Sequence, residues 1–252
     1  MKQFIKSNWK YVLFFTLVGA IGGYFSGLYL LDSYPAELRQ QAIDQGITAG
    51  MTGLISAIQS AVYGLVLGSL GIFFASKIGL WKEDKSITKK PMLLSLVVSV
   101  FGGAVMILSD VLFFGRYAPA IMDSYASKPS VPYLIATVTY GAVIEEVMMR
   151  LFFMSLIAFV LYKIFARKKP EVPIPVLVAA NIISAFLFAA GHLPTTDMLL
   201  GLSPIIVFRC FLLNGGIGLL FGYLYRKYGL RYAMLAHAGC HIISKLIWIA
   251  FL

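Results

Sequence analysis

The residues that could do chemistry are few. Glu145 and Glu146 stand side by side, Arg150 follows four residues after Glu146, and all three interrupt an apolar run from Tyr133 to Tyr162. Insertion scales put a charged residue at the centre of a bilayer at about 2.5–3.5 kcal/mol. Three of them cost roughly 8–10 kcal/mol unless something compensates. The chain's three histidines, His192, His237 and His241, also lie in or at the ends of apolar segments. His237 and His241 are four apart and so share one helical face. Each feature has a bland reading. A lone His in an apolar helix is more often a packing residue than a ligand, and Glu146 with Arg150 has the spacing of an intrahelical ion pair. That pair leaves Glu145 without a local partner. Burial and a neighbouring like charge are the means by which a carboxyl becomes a general base or acid near neutral pH.

Glu with His can orient and deprotonate a water, alone or on a metal ion. Zinc accepts His nitrogen and leaves one position open for water in catalytic sites. His192, His237 and His241 are therefore a candidate ligand set, with Zn2+ and no metal both open. The zincin pattern His-Glu-x-x-His is absent. The segment His237-Ala238-Gly239-Cys240-His241 lacks the inner Glu, so the base has to come from Glu145 or Glu146 on another helix. Asp110, Asn181, Arg209, Asn214 and Lys245 read as helix–helix glue or interface anchors, Lys245 snorkelling at the outer end. There is no Gly-x-Ser-x-Gly, Walker loop, dinucleotide fingerprint or repeat.

The elements that must position these residues follow from composition. Of 252 residues 60% are hydrophobic and 13% charged, against about 45–50% and about 25% in soluble domains. The excess lies in long runs, which predicts an all-α polytopic transmembrane helical bundle of seven spans. They fall near 10–31, 51–76, 92–114, 133–163, 176–192, 205–225 and 231–250. No stretch between them has room for a soluble domain, so 1–252 reads as one integral membrane domain. The fourth span is long, about 45 Å at 1.5 Å per residue. It projects, tilts or breaks near the charged cluster, and a break would make eight spans. The first apolar run is too long for most signal peptides and reads as a retained helix. Gly19, Gly23 and Gly27, then Gly64 and Gly68, then Gly218 and Gly222, form small-residue faces for close packing. Cys210 and Cys240 read as small buried hydrophobes.

A net charge of +10 raises the question of nucleic acid. Its distribution answers against it. With seven spans, fifteen of the 21 Lys and Arg residues fall on the side of the N-terminus, in the leader and in the loops 77–91, 163–175 and 226–231. Only Arg39, Arg116 and Lys128 fall opposite. This predicts a multi-pass cell-membrane protein with its N-terminus cytoplasmic and its C-terminus outside. Trp9, Trp81 and Trp248 sit where an aromatic belt would have them.

Glu145-Glu146-x-x-x-Arg150, then Phe188-x-x-x-His192, then His237 on a late helix, resembles the three-motif signature of the CAAX protease and bacteriocin-processing family. These intramembrane endopeptidases include the type II CAAX prenyl endopeptidases. The resemblance covers about 133–250 and takes in Gly222-Tyr223-Leu224-Tyr225-Arg226-Lys227. It implies cleavage of a peptide bond at or within the bilayer, in a membrane-associated peptide or protein. It implies a water activated by Glu145, support from Glu146 and Arg150, and a site completed by His192 and His237. Three positions depart from the pattern. His241 stands where the family usually has Asn, where it can donate to an oxyanion or add a metal ligand. Met149 and Leu151 replace an aromatic and a Gly. A non-catalytic membrane scaffold or immunity protein on the same fold is the alternative, and a transporter, for which no inverted repeat is seen, ranks below it. One tension remains in the span limits. On straight helices His192 and His237 stand about 15–20 Å apart along the membrane normal. Convergence requires shifted limits, most of all around the fifth span.

Overall fold

The structure is a computed structural model that describes residues 2–82 and 87–252, with side chains from Ser7 onward. Lys85, counted above in a basic loop, and the side chains of Lys2 and Lys6 lie outside the described residues. The described residues form nine helices and no strand. Seven are long and apolar enough to cross a bilayer: α1 (Lys2–Ser33), α3 (Ala49–Lys77), α4 (Lys89–Tyr117), α6 (Val131–Ala166), α7 (Ile174–Leu200), α8 (Pro204–Tyr228) and α9 (Leu230–Phe251). The chain is thus an all-α multi-pass bundle. Two short helices, α2 (Ala36–Asp44) and α5 (Pro119–Asp123), occupy segments read above as loops.

Local signals set the helix starts. Thr48 Oγ1 accepts from the Met51 amide at the start of α3, and Ser130 and Ser203 do the same for α6 and α8, each with Pro in the first turn. Gly229, at φ 107°, makes the tight turn between α8 and α9. The fifth span is corrected. It does not end at His192 but runs to Leu200, with Pro194 inside the helix. Proline removes one donor, a loss that transmembrane helices tolerate, and Gly201 at φ 70° ends the helix instead.

α6 is the axis of the bundle. It packs against α1, α3, α7, α8 and α9. It does not break near the charged cluster, so there are seven spans and not eight. Its length is taken up by winding: Thr137–Glu145, Val147–Met154 and Tyr162–Ala166 are π-helical. Hydrogen bonds to i+5 put more residues in each turn, so 36 residues rise less than an α-helix would.

Apolar side chains gain little by leaving lipid for protein, so association rests on close packing and polar links. The glycine stripe of α1 does this against α3. A Cβ on Gly19 would stand 2.5 Å from the Ser60 carbonyl oxygen, and one on Gly23 would meet Ser56 and Ser60. Ser95 and Ser99 of α4 donate to carbonyls of α9. Asn181 Nδ2 donates to the Leu219 carbonyl at 3.0 Å and ties α7 to α8. Asn214 is a correction: its amide nitrogen donates to Cys210 of its own helix, and among the described residues it makes no hydrogen bond to a neighbouring helix. Cys210 and Cys240 are buried and unbridged.

Candidate active site

The site is built on the seam in α6. Glu146 is the one residue between the two long π-helical stretches, and its side chain is 0% exposed. Arg150 Nη1 lies 2.9 Å from Glu146 Oε1, as the i, i+4 spacing predicts. Arg150 Nη2 donates to the Gly218 carbonyl of α8 at 2.9 Å. The guanidinium also lies over two rings, Phe188 of α7 at 4.9 Å and Phe221 of α8 at 5.4 Å. Such contacts contribute about 0.5–2 kcal/mol each. A Cβ on Gly218 would come within 2.8 Å of Nη2, so the glycine is what lets the guanidinium in. Gly218 and Phe221 were not legible as part of a site. The glycine spacing signals only helix packing.

His237 of α9 completes the buried group. Its Nδ1 stands 2.9 Å from Glu146 Oε1. A carboxylate accepts, so Nδ1 is the donor, and Nε2 is the ring nitrogen that Glu146 leaves open. That Nε2 faces Glu145 Oε2 at 3.9 Å. The two neighbouring carboxylates are therefore different in kind. Glu146 is sealed between Arg150 and His237, whereas the Glu145 side chain is 18% exposed and its one contact at ion-pair range among the described residues is that histidine.

His192 joins the group, because α7 continues past it. Its Nδ1 bonds the Phe188 carbonyl at 2.8 Å. A carbonyl can only accept, so this ring too presents Nε2. The Phe188 ring lies edge-on to both His192 and His237, at 4.6 and 6.2 Å. His237 is stacked between Phe221, at 4.6 Å, and His241, at 5.0 Å. His241 Nε2 packs on Gly141, one turn outward of Glu145, and its Nδ1 is buried with no hydrogen-bond partner. All six residues singled out in the sequence thus lie in one neighbourhood formed by α6, α7 and α9.

Residues 127–243 match the family model described as Rce1-like: type II CAAX prenyl endopeptidase Rce1-like. This segment belongs to the CAAX protease family. The Rce1-like segment contains all six residues, on a multi-pass membrane framework, and the family is one of intramembrane proteases. No curated protein and no solved structure matches the chain.

The Rce1-like site does not have the donor geometry of a metal centre. Among the described residues no three His, Cys, Asp or Glu side chains are placed to hold a metal ion. His237 and His241 stack face to face at 26°, so their ring nitrogens do not converge on one point. The set His192, His237 and His241 therefore does not fit zinc as placed.

Two charged groups lie outward of the Rce1-like site. Asp110 of α4 accepts from Arg209 of α8 through both oxygens at 2.6 Å, and from the Tyr125 hydroxyl at 2.7 Å. Burial, and then the Asp110 carboxylate, hold the Tyr125 phenol above its ordinary range, so it stays a donor. This is the helix–helix link expected of Asp110 and Arg209. Lys245 is a correction. It does not snorkel: it is 7% exposed, with its ammonium over the Tyr133 ring of α6 at 4.7 Å. It projects from α9 on the face of His237 and His241, which turns it into the bundle and away from the interface.

Proposed function

We propose that the chain is an endopeptidase that hydrolyses a peptide bond in a membrane-associated peptide or protein, with Glu145 as the base. One observation carries this reading. Glu145 Oε2 and His237 Nε2 face each other across 3.9 Å while Glu146 holds the far side of the imidazole. Two acceptors at that separation are bridged by one water, which donates a hydrogen to each. Glu145 takes the proton as the water oxygen attacks the peptide carbonyl carbon. It then returns that proton to the amide nitrogen as the C–N bond breaks. A positioned base of this kind contributes about 10²–10⁴-fold.

The other residues act around that step. Glu146 fixes the His237 ring and stabilises it if it takes up a proton, and Arg150 holds Glu146 in place. The tetrahedral intermediate needs a hydrogen-bond donor for its oxyanion, worth about 10²–10³-fold. His241 is the candidate, with a ring nitrogen that no neighbour engages. His192 presents Nε2 from the α7 side to the peptide backbone. Glu145 lies in the middle part of its span, so the scissile bond must enter the membrane region. The charge of the basic loops supports a cytoplasmic N-terminal side.

Hydrolysis has a specific signature. Purified protein incubated with a membrane peptide in heavy-oxygen water should yield two fragments, with solvent oxygen in the new carboxylate. Glu145→Ala should abolish both while the protein stays folded. Undiminished cleavage by that variant would remove Glu145 from the role.

A further inference from the structure

Lys245 has no explanation in the chemistry described so far. It is a lysine in the last third of a span, 7% exposed. Among the described residues its ammonium makes no ion pair and no hydrogen bond, and one ring face, that of Tyr133, is its partner. A ring face offsets only part of what an ammonium loses on leaving water. Asp110, a buried carboxylate near the same end of the bundle, is already committed to Arg209 and Tyr125. Asp123 is exposed at the end of α5.

Its position is as informative as its lack of a partner. His237, His241 and Lys245 are successive i, i+4 residues of α9 and form one line. Lys245 is about 12 Å outward of His237 along that line. On α6 the facing line runs Glu145, Gly141, Tyr133. One turn further out Lys128 reaches the Ile249 carbonyl of α9, a second cation at the same end. A peptide whose carbonyl lies between Glu145 and His237 can therefore run outward between these lines toward a buried cation.

We propose that Lys245 is the receptor for a carboxylate carried by the substrate peptide a few residues outward of the scissile bond. The proposal takes the peptide's position from the hydrolytic reading of Glu145 and His237. A chain-terminal carboxylate and an Asp or Glu side chain share this chemistry, and the experiment separates them.

The probes are randomised nonapeptide mixtures in four forms: free or amidated C-terminus, with or without acidic residues. Each is captured on purified Glu145→Ala protein, which binds without cutting, and the bound peptides are read by mass spectrometry. Carboxylate-bearing forms should be retained at least tenfold over the amidated, acid-free form. Adding Lys245→Met should bring that ratio to about one, and Lys245→Arg should restore most of it. The form that is preferred identifies the source of the carboxylate. Lys245→Met should unfold no earlier than its parent, because it removes an unpaired buried charge. Early unfolding of the Met variant, with no carboxylate preference in the parent or the Arg variant, would make Lys245 a structural anchor and overturn the proposal. Equal capture of all forms, including capture of none, overturns it as well. So does loss of the preference when phosphatidylglycerol is added, which would make a lipid phosphate the ligand. Cleavage by the unaltered protein is measured in parallel. Preference without cleavage supports the receptor and overturns the hydrolytic reading, and cleavage without preference does the reverse.

Discussion

Glu145 and Glu146 are neighbours of one residue type, and they should fail in opposite ways when altered. Glu146→Ala leaves the Arg150 guanidinium buried without its carboxylate. The Gly218 carbonyl and the rings of Phe188 and Phe221 remain, but none carries a compensating charge. Removing one partner of a buried ion pair costs about 3–5 kcal/mol. At about 2–4 °C per kcal/mol for a chain of this size, the midpoint should fall by about 6–20 °C. Glu145→Gln keeps the shape of a partly exposed side chain that has no ion-pair partner closer than 3.9 Å. Its midpoint should stay within about 4 °C of the parent, a change of 1 kcal/mol or less, while cleavage falls about 10²–10⁴-fold. The assay is tryptophan fluorescence on heating in detergent, at one scan rate for all variants because unfolding there is a kinetic quantity. Peptide cleavage is measured on the same samples. Glu146→Ala combined with Arg150→Met should recover several degrees over Glu146→Ala alone, since no unpaired charge remains. Early melting of Glu145→Gln, or parental melting of Glu146→Ala, would refute the division into an interior and a facing carboxylate.

Three further outcomes are expected. His241→Asn should keep most of the cleavage rate, because an amide N–H can serve an oxyanion as a ring N–H does, while His241→Ala should lower kcat by about 10²-fold with little change in KM; equal loss in both variants would count against the donor role. Gly23→Leu should separate α1 from α3, because its side chain would occupy the space of Ser56 and Ser60. Its cost of about 1–3 kcal/mol or more should appear as a lower midpoint and loss of monodisperse protein on size exclusion. A reporter enzyme active only outside the cytoplasm, fused after Leu252, should be active, and the same reporter in the loop 167–173 should be silent; the opposite pattern would invert the topology.

The spans were legible because hydrophobic runs and loop charge report directly on the bilayer. The ends were less so. A proline in a transmembrane helix looks like a stop, yet the chain continues through Pro194 to Gly201, and that continuation brings His192 into the group. The cluster itself was legible as an expense: charges in an apolar run need partners, and the chain's histidines were the available ones. Which carboxylate does what was half legible. The i, i+4 spacing gives Glu146 its Arg150, but the His237 contact crosses 91 positions of sequence and leaves no local trace. Gly218 and Phe221 were hidden for the same reason, since they act through a neighbouring helix. Lys245 was misread because position near a helix end suggests an interface anchor, whereas direction around the helix decides.

The seam at Glu146 has a consequence for how this chain can vary. Around a helix, adjacent residues point about 100° apart. That angle alone separates the carboxylate facing Arg150 and His237 from the one facing outward to His237 Nε2. Side-chain replacement along α6 leaves this angle alone; gain or loss of a single residue does not. One residue inserted or deleted between Gly141 and Glu145 would rotate the outer half of α6 against Glu145, and would carry Gly141 off His241 and Tyr133 off Lys245 together. The helix can absorb many spelling changes, and not one change of length.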